Sequence, residues 1–376
     1  MLITIINTLP VPSGEASVNR ILSYSKGLVK EGNNVCILSS GYLPSGRDNI
    51  IDGVKACNLG SNTAKPLSLF ISLVKILKRV LQSKTEVVVL VSNSLFLIYP
   101  LYLVCKIRRI KFIQEKSEFP FSMMKKGVIQ RLYSKFYINT TYKLFDGLIV
   151  MTKPLMEFYK GLTRNDCLFF EMPMTVDIER FEGIKEEPNL LGEYMAYCGN
   201  LSNKKDGILN LIEAFSFVAP LYPQLKLILI GGSSDNKDLD VYKERITELA
   251  LNNVILYGRV DRNDMPSLLK NAKALLLARP SSLQSSGGFP TKLGEYLATG
   301  NPVVVTAVGD IPLYLNSSNS FIVEPDNNQA FAEKILEIMK DEERAREIGK
   351  AGQSLAKTVF NAKIQSHNLN NYLRSL

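Results

Sequence analysis

The chain has 376 residues, a length that suits about two domains, and with 46% hydrophobic and 22% charged residues each can bury a full core. One histidine, His367, leaves no His-cluster metal site and argues against a Ser/His/Asp or Cys/His nucleophile system. The net charge of +9 is uneven: residues 1–180 hold 24 Lys+Arg against 13 Asp+Glu, the rest 21 against 23, so an anionic partner is expected at the N-terminal half. Five cysteines (Cys36, Cys57, Cys105, Cys167, Cys198) lack C-x-x-C spacing, which reads as reduced buried thiols in a cytoplasmic compartment, and Trp is absent.

In chain order, Leu2 to Ile6 reads as a mature first strand with no signal peptide ahead of it. A helix is predicted over Ser17 to Glu31, a strand over Val35 to Ser39, a helix around Leu67 to Leu81 and a strand over Val87 to Val91. A helix from Leu95, a strand at Lys111 to Gln114 and another at Gly147 to Met151 follow. The apolar stretch Leu95 to Cys105 is about half the roughly 20 residues a membrane span needs. The second half repeats the scheme with strands at Met195 to Cys198, Lys226 to Ile230, Val254 to Tyr257, Ala274 to Leu277 and Pro302 to Thr306, with helices between them. Such alternation predicts α/β architecture, two Rossmann-like doubly wound parallel sheets. The polar stretch Glu179 to Pro188 reads as a linker, which sets domains at 1–185 and 186–360, followed by a C-terminal helix at 361–376 packing back on the first domain.

Three loops carry chemistry. The first βα turn, Pro10 to Ser17, holds Ser13 and Gly14, where a ligand can approach the backbone at a helix N-terminus, although an ordinary turn is an equal reading. It is not G-x-G-x-x-G, so nicotinamide and flavin binding lose their main support. After Tyr197-Cys198, Gly199 and Asn200 open a polar loop holding Lys204 and Lys205 before a helix, which reads as a lysine at a helix mouth or as a solvated pair beside a turn. The strongest constellation runs from Ser285 through Gly287-Gly288-Phe289-Pro290-Thr291-Lys292 to Glu295. There a Gly-rich loop enters a helix whose first amides can face a phosphate, with Glu295 one turn on.

Gly199-x-Leu201 with Lys205, then Gly231-Gly232, Gly258-Arg259-Val260, Arg279-Pro280-Ser281 and the block from Phe289 to Pro302 resemble the retaining, GT-B-fold glycosyltransferases of family 4. Pro173-x-x-Val176-Asp177 and the Ser13-Gly14 loop extend the resemblance over nearly the whole chain. It implies two Rossmann-like domains facing across a cleft and a nucleotide-sugar donor held mainly by the second. Glu295 would accept from the ribose hydroxyls, and Lys205 would face the diphosphate as a catalytic cation. The amides of Thr291 and Lys292 would bind that diphosphate, within a donor set that also includes Gly199, Asn200, Gly258, Arg259, Phe289 and Pro290.

The sequence also departs from the family pattern. Gly287 stands where the first Glu of the E-x7-E motif is usual, and Asn200 where an arginine is usual, a loss that Arg259, Lys204 or the Lys292 side chain could offset. The acceptor-side histidine is missing. Glu118 in the Glu115 to Pro120 loop is the candidate base, or else a structural carboxylate paired with Lys116 or Arg109.

Basic residues at Lys65, Lys75, Lys78, Arg79 and Lys84, and at Lys125, Lys126, Arg131, Lys135 and Lys143, interleave with apolar and aromatic ones, the pattern of a face resting on anionic lipid or of an ordinary solvated face. No nucleic-acid motif accompanies the charge. The expectation is a cytoplasmic transferase, peripheral on the inner face of the membrane. It would move a sugar from a nucleotide diphosphate sugar to a lipid-linked glycan in surface polysaccharide assembly, with no cofactor and no metal. A non-catalytic binding or assembly protein of the same fold, and a GT-B-like sugar-nucleotide epimerase, remain open alternatives.

Overall fold

The computed structural model describes residues 1–376 except 14, 44–47, 121–126, 185–190 and 234–235. Gly14, Lys125 and Lys126 therefore lie outside the described residues. The chain forms two units, Met1–Thr175 with Ala362–Leu376, and Val176–Asn361.

The first unit runs β1 (Leu2–Asn7), α1 (Ala16–Lys30), β2 (Asn34–Ser39), β3 (Asp48–Ile51), β4 (Val54–Asn58), α2 (Lys65–Gln82), β5 (Val87–Val91), α3 (Leu95–Arg108), β6 (Lys111–Lys116), α4 (Val128–Thr140), β7 (Gly147–Val150), α5 (Lys153–Lys160) and β8 (Leu168–Glu171). Its sheet has the order β3-β4-β2-β1-β5-β6-β7-β8 and is parallel except for the β3–β4 hairpin. β1 lies centrally, Leu2 to Asn7 against Asn34 to Ser39 and Ile3 to Asn7 against Val87 to Val91. A strand buried on both faces needs a continuous apolar run, and Val87 to Val91 is one.

The second unit runs β9 (Tyr194–Cys198), α6 (Asn203–Asp206), α7 (Ile208–Val218), β10 (Lys226–Ile230), α8 (Asn236–Glu248), β11 (Val254–Gly258), α9 (Met265–Lys270), β12 (Ala274–Leu277), α10 (Leu283–Gly287), α11 (Thr291–Thr299), β13 (Val303–Thr306), α12 (Ile311–Tyr314), β14 (Phe321–Val323), α13 (Asn328–Lys340) and α14 (Glu342–Thr358). Its parallel sheet has the order β11-β10-β9-β12-β13-β14. The chain then returns to the first unit as α15 (Ala362–Ser375), packed on α1.

The division falls at Thr175/Val176, not near residue 185. Residues 178–181 form a 3-10 turn that buries Ile178 and Phe181 against α9 and α11. Val176 bridges Asn361, and its amide donates to the Phe360 carbonyl at 2.8 Å. The start of the expected linker is thus a packed edge of the second unit. Among the described residues, no helix is long and apolar enough to cross a membrane.

Candidate functional site

In the second unit the C-terminal ends of three adjacent strands close on glycines. The Gly199 amide donates to the Ile230 carbonyl at 2.9 Å, and the Gly231 amide to the Gly258 carbonyl at 2.7 Å. A Cβ on Gly231 would stand 1.8 Å from the Gly199 carbonyl oxygen, so bare backbone is obligatory there. Gly258 has φ +84° at the end of β11, and the exposed Arg259 side chain passes across Gly232.

Gly199 leaves room for Lys292, whose Nζ would lie 2.4 Å from a Cβ at that position. Lys292 Nζ donates at 2.6 Å to Asp206 Oδ2 and at 2.6 Å to the Tyr197 hydroxyl, which itself lies 2.9 Å from Asp206 Oδ2. Arg279, 2% exposed, donates to the Gly288 carbonyl at 3.0 Å and the Lys205 carbonyl at 3.3 Å. Its Nε stands 3.7 Å from Asp206 Oδ1. Burial lowers the affinity of Lys292 for its proton, against the pull of Asp206. Burial also works against the Asp206 carboxylate, but Lys292 and Arg279 outweigh it and hold the group below its ordinary value. The network ties the loop after β9, the end of β12 and the start of α11 into one block. The Lys292 ammonium, one of three cations that could offset the arginine missing at Asn200, is paired with Asp206 in this network.

Lys204 and Lys205 stand on the exposed side of α6, whose last residue is the buried Asp206. Asn200 is exposed, and its carbonyl lies 2.7 Å from the Tyr197 hydroxyl. The Gly-rich stretch folds partly as α10, with a capping box between Ser282 and Ser285, and Gly287 is its buried last residue. Phe289 is buried against Tyr314 and Phe360, with ring centroids 5.6 and 5.7 Å away, so it anchors the loop from beneath. Pro290 caps α11, and Thr291 and Lys292 supply its first amides, which an α-helix leaves without intrahelical partners. Glu295 lies one turn on, and Arg180 Nη1 donates to its Oε1 at 2.6 Å while Arg180 Nη2 donates to the Arg262 carbonyl at 2.6 Å.

In the first unit Ser13 Oγ is buried without a hydrogen-bond partner among the described residues. Glu118 is half-buried, and its carbonyl accepts from the Tyr159 hydroxyl at 3.1 Å. The charges that are buried nearby are others. Glu115 accepts from Arg20 Nε at 2.7 Å and from the Tyr24 hydroxyl at 2.8 Å, and Arg20 also donates to the Met172 and Pro173 carbonyls at 2.6 Å. Lys116 donates to Asn93 Oδ1 and lies 5.3 to 5.8 Å from the ring centroids of Tyr142, Tyr159 and Tyr137. Burial pushes its ammonium down to about 7. Among the described residues, no group of three His, Cys, Asp or Glu is arranged to hold a metal ion.

Residues 179–355 match the family model for glycosyl transferases group 1. Sucrose-phosphate synthase from Thermosynechococcus elongatus is 16% identical, covers 100% of this chain and 98% of its own, and superposes with a TM-score of 0.79. Anabaena Alr3699/HepE in complex with UDP-glucose is 16% identical over 100% of both chains, with a TM-score of 0.76. The poly(glycerol-phosphate) alpha-glucosyltransferase of Bacillus subtilis (strain 168) is 26% identical over 220 residues, 58% of this chain and 30% of that protein. The chain spans only 30%, 25% and 26% of the first three curated relatives it matches.

Two α/β units, one with an eight-stranded sheet parallel but for its edge hairpin and one with a parallel six-stranded sheet, set beside these neighbours, define the GT-B class of fold. Within it, the second unit carries the match to glycosyl transferases group 1, the family that the Gly199 to Pro302 motifs resemble.

Proposed function

We propose that this protein is a retaining glycosyltransferase that moves a hexosyl group from a nucleoside diphosphate sugar to a hydroxyl of a lipid-linked glycan in surface polysaccharide assembly. It works as a peripheral protein on the cytoplasmic face of an anionic membrane. The observation that carries the reading is the start of α11. Its Thr291 and Lys292 amides open a helix of positive N-terminal dipole, and Glu295 offers a carboxylate one turn away. That pairing suits a diphosphate at the mouth and ribose hydroxyls beside it. Breaking the anomeric C–O bond leaves negative charge on the nucleoside diphosphate, and fixed amides with Lys205 stabilise it without a metal. UDP-glucose, the ligand of the Anabaena neighbour, is the first donor to try. Glu118 and the Ser13-Gly14 loop belong to the acceptor side of this reading.

A thermal-shift screen of nucleoside diphosphates and their sugars tests it. At least one nucleotide is expected to raise the melting temperature, and its sugar should release free nucleotide when acceptor is added, undiminished by EDTA. No response to any nucleotide at millimolar level would end the reading, and chelator loss restored by magnesium would end its metal-free part. Tight binding without turnover would favour the non-catalytic alternative, which Gly287 at the usual Glu position already supports.

A further inference from the structure

The helices α2, α3 and α4 adjoin one another through aromatic contacts. Phe70 and Phe96 have ring centroids 6.4 Å apart, Tyr99 and Phe136 6.3 Å apart, and the Tyr99 hydroxyl meets Thr140 Oγ1 at 2.8 Å. α2 and α3 each bury one apolar stripe, as a surface helix should, and α4 buries Tyr137. Each also carries an apolar stripe that is not buried. Phe70, Val74, Leu103, Ile107, Leu132 and Phe136 are 50% to 77% exposed, in i, i+4 pairs on the three helices. Contiguous exposed apolar surface of this kind marks an interaction site.

The charge pattern says what meets it. None of the three helices contains an Asp or a Glu, and Lys78, Lys106, Arg108, Arg131 and Lys135 are exposed on them. A second copy of the same face would set like charge against like charge. Apolar side chains interleaved with lysine and arginine, with no acid at all, complement an acidic bilayer.

We propose that the acid-free face of α2, α3 and α4 is a bilayer-docking face. Its apolar side chains enter the acyl boundary of an anionic leaflet while its lysines and arginines meet the headgroups. The proposal deepens the peripheral-membrane part of the reading above and is independent of the donor site.

The chain contains no Trp, so a single introduced one reports without background. Leu132→Trp and, on a different helix, Phe70→Trp are measured in the full chain with phosphatidylcholine vesicles, with and without phosphatidylglycerol. Phe217→Trp, 53% exposed on α7, is the control. A blue shift and quenching by acyl-brominated lipid are expected for the first two, only with phosphatidylglycerol, and not for the control. Replacing Phe70 and Leu132 with Ser should lower vesicle affinity by roughly tenfold or more, the scale of one lost large apolar contact. Unchanged emission of both reporters with vesicles would overturn the proposal. So would a lipid-free blue shift that grows with protein concentration, since a second copy would then cover the face. Nucleotide-dependent thermal shifts measured on the same samples show whether the donor reading survives either outcome.

Discussion

Arg180 sits 2.6 Å from Glu295 and donates as well to the Arg262 carbonyl, so the carboxylate proposed for the ribose is already held in one orientation. Hydrogen bonds to a charged group contribute about 1.5 kcal/mol or more. Glu295→Gln should therefore weaken nucleotide affinity about tenfold, and Arg180→Ala several-fold through lost orientation. Calorimetry with the ribo- and 2′,3′-dideoxynucleotide separates these outcomes, because only the ribonucleotide should respond. Tighter binding by Arg180→Ala would mean that the guanidinium competes with the ribose. The position of Glu295 one turn into α11 was legible from its spacing after Pro290, whereas its pairing with Arg180 was not, since one arginine in a charge-rich run carries no periodic signal.

Lys116 gives a second prediction at this scale. Its folded pKa of about 7 lies below the ordinary lysine value, so the fold binds fewer protons than the unfolded chain between about pH 7 and 10.5. The penalty of burying its charge is full below pH 7 and relieved as pH rises through that window. Lys116→Met should therefore gain stability over the parent at pH 6 relative to pH 9, by roughly 2 to 3 kcal/mol in denaturant titrations. An equal difference at both pH values would show the ammonium is not desolvated. The sequence signal for it existed: Gln114, Glu115 and Lys116 are three polar residues at the C-terminal end of a strand buried on both faces.

At the scale of elements, the βα alternation was readable because parallel strands need apolar runs and helices need amphipathic ones, and the bounds of α1 and α2 fall within a few residues of expectation. The β3–β4 hairpin was missed although Asp52-Gly53, at φ +50° and +81°, is the turn dipeptide that signals one. Its strands are short and only β4 is largely buried, so hydrophobicity alone gives little contrast. The glycine crossing at the ends of β9 and β10 is an element-level device, because the end of β10 lies against the Gly199 carbonyl with no room for a Cβ on Gly231. Gly231→Ala would force a Cβ into the Gly199 carbonyl at φ +137°, and about 3 kcal/mol of stability should be lost. Denaturant melts should show this alongside loss of the nucleotide response. Wild-type stability in the variant would mean that the strand ends can part.

For the whole molecule, the first unit is discontinuous in sequence: it leaves at Thr175 and is completed only by Ala362–Leu376. A tail helix against the first domain is expected from the sequence, but which residues it closes on is not. Leu369, Tyr372 and Leu373 of α15 are buried in the same core cluster as Ile3, Ile21 and Leu28. Gly27 lets the helix approach, since a Cβ there would lie 2.1 Å from Ser366 Oγ. The Tyr372 hydroxyl donates to the Leu168 carbonyl at 2.9 Å, tying the helix to the edge strand β8. Burying three such side chains contributes on the order of 5 to 8 kcal/mol, comparable with the 5 to 15 kcal/mol net stability of a typical domain. Truncation after Asn361 should therefore unfold the first unit while the second, whose residues all precede the cut, keeps its own transition. Calorimetry of the truncated chain is expected to show one transition, with limited proteolysis degrading residues before Thr175 first. Survival of two transitions would mean that α15 covers a core already stable without it. Gly27→Val in the full chain gives a graded version, since it presses on Ser366 without removing any residue, and only the first unit's transition should move.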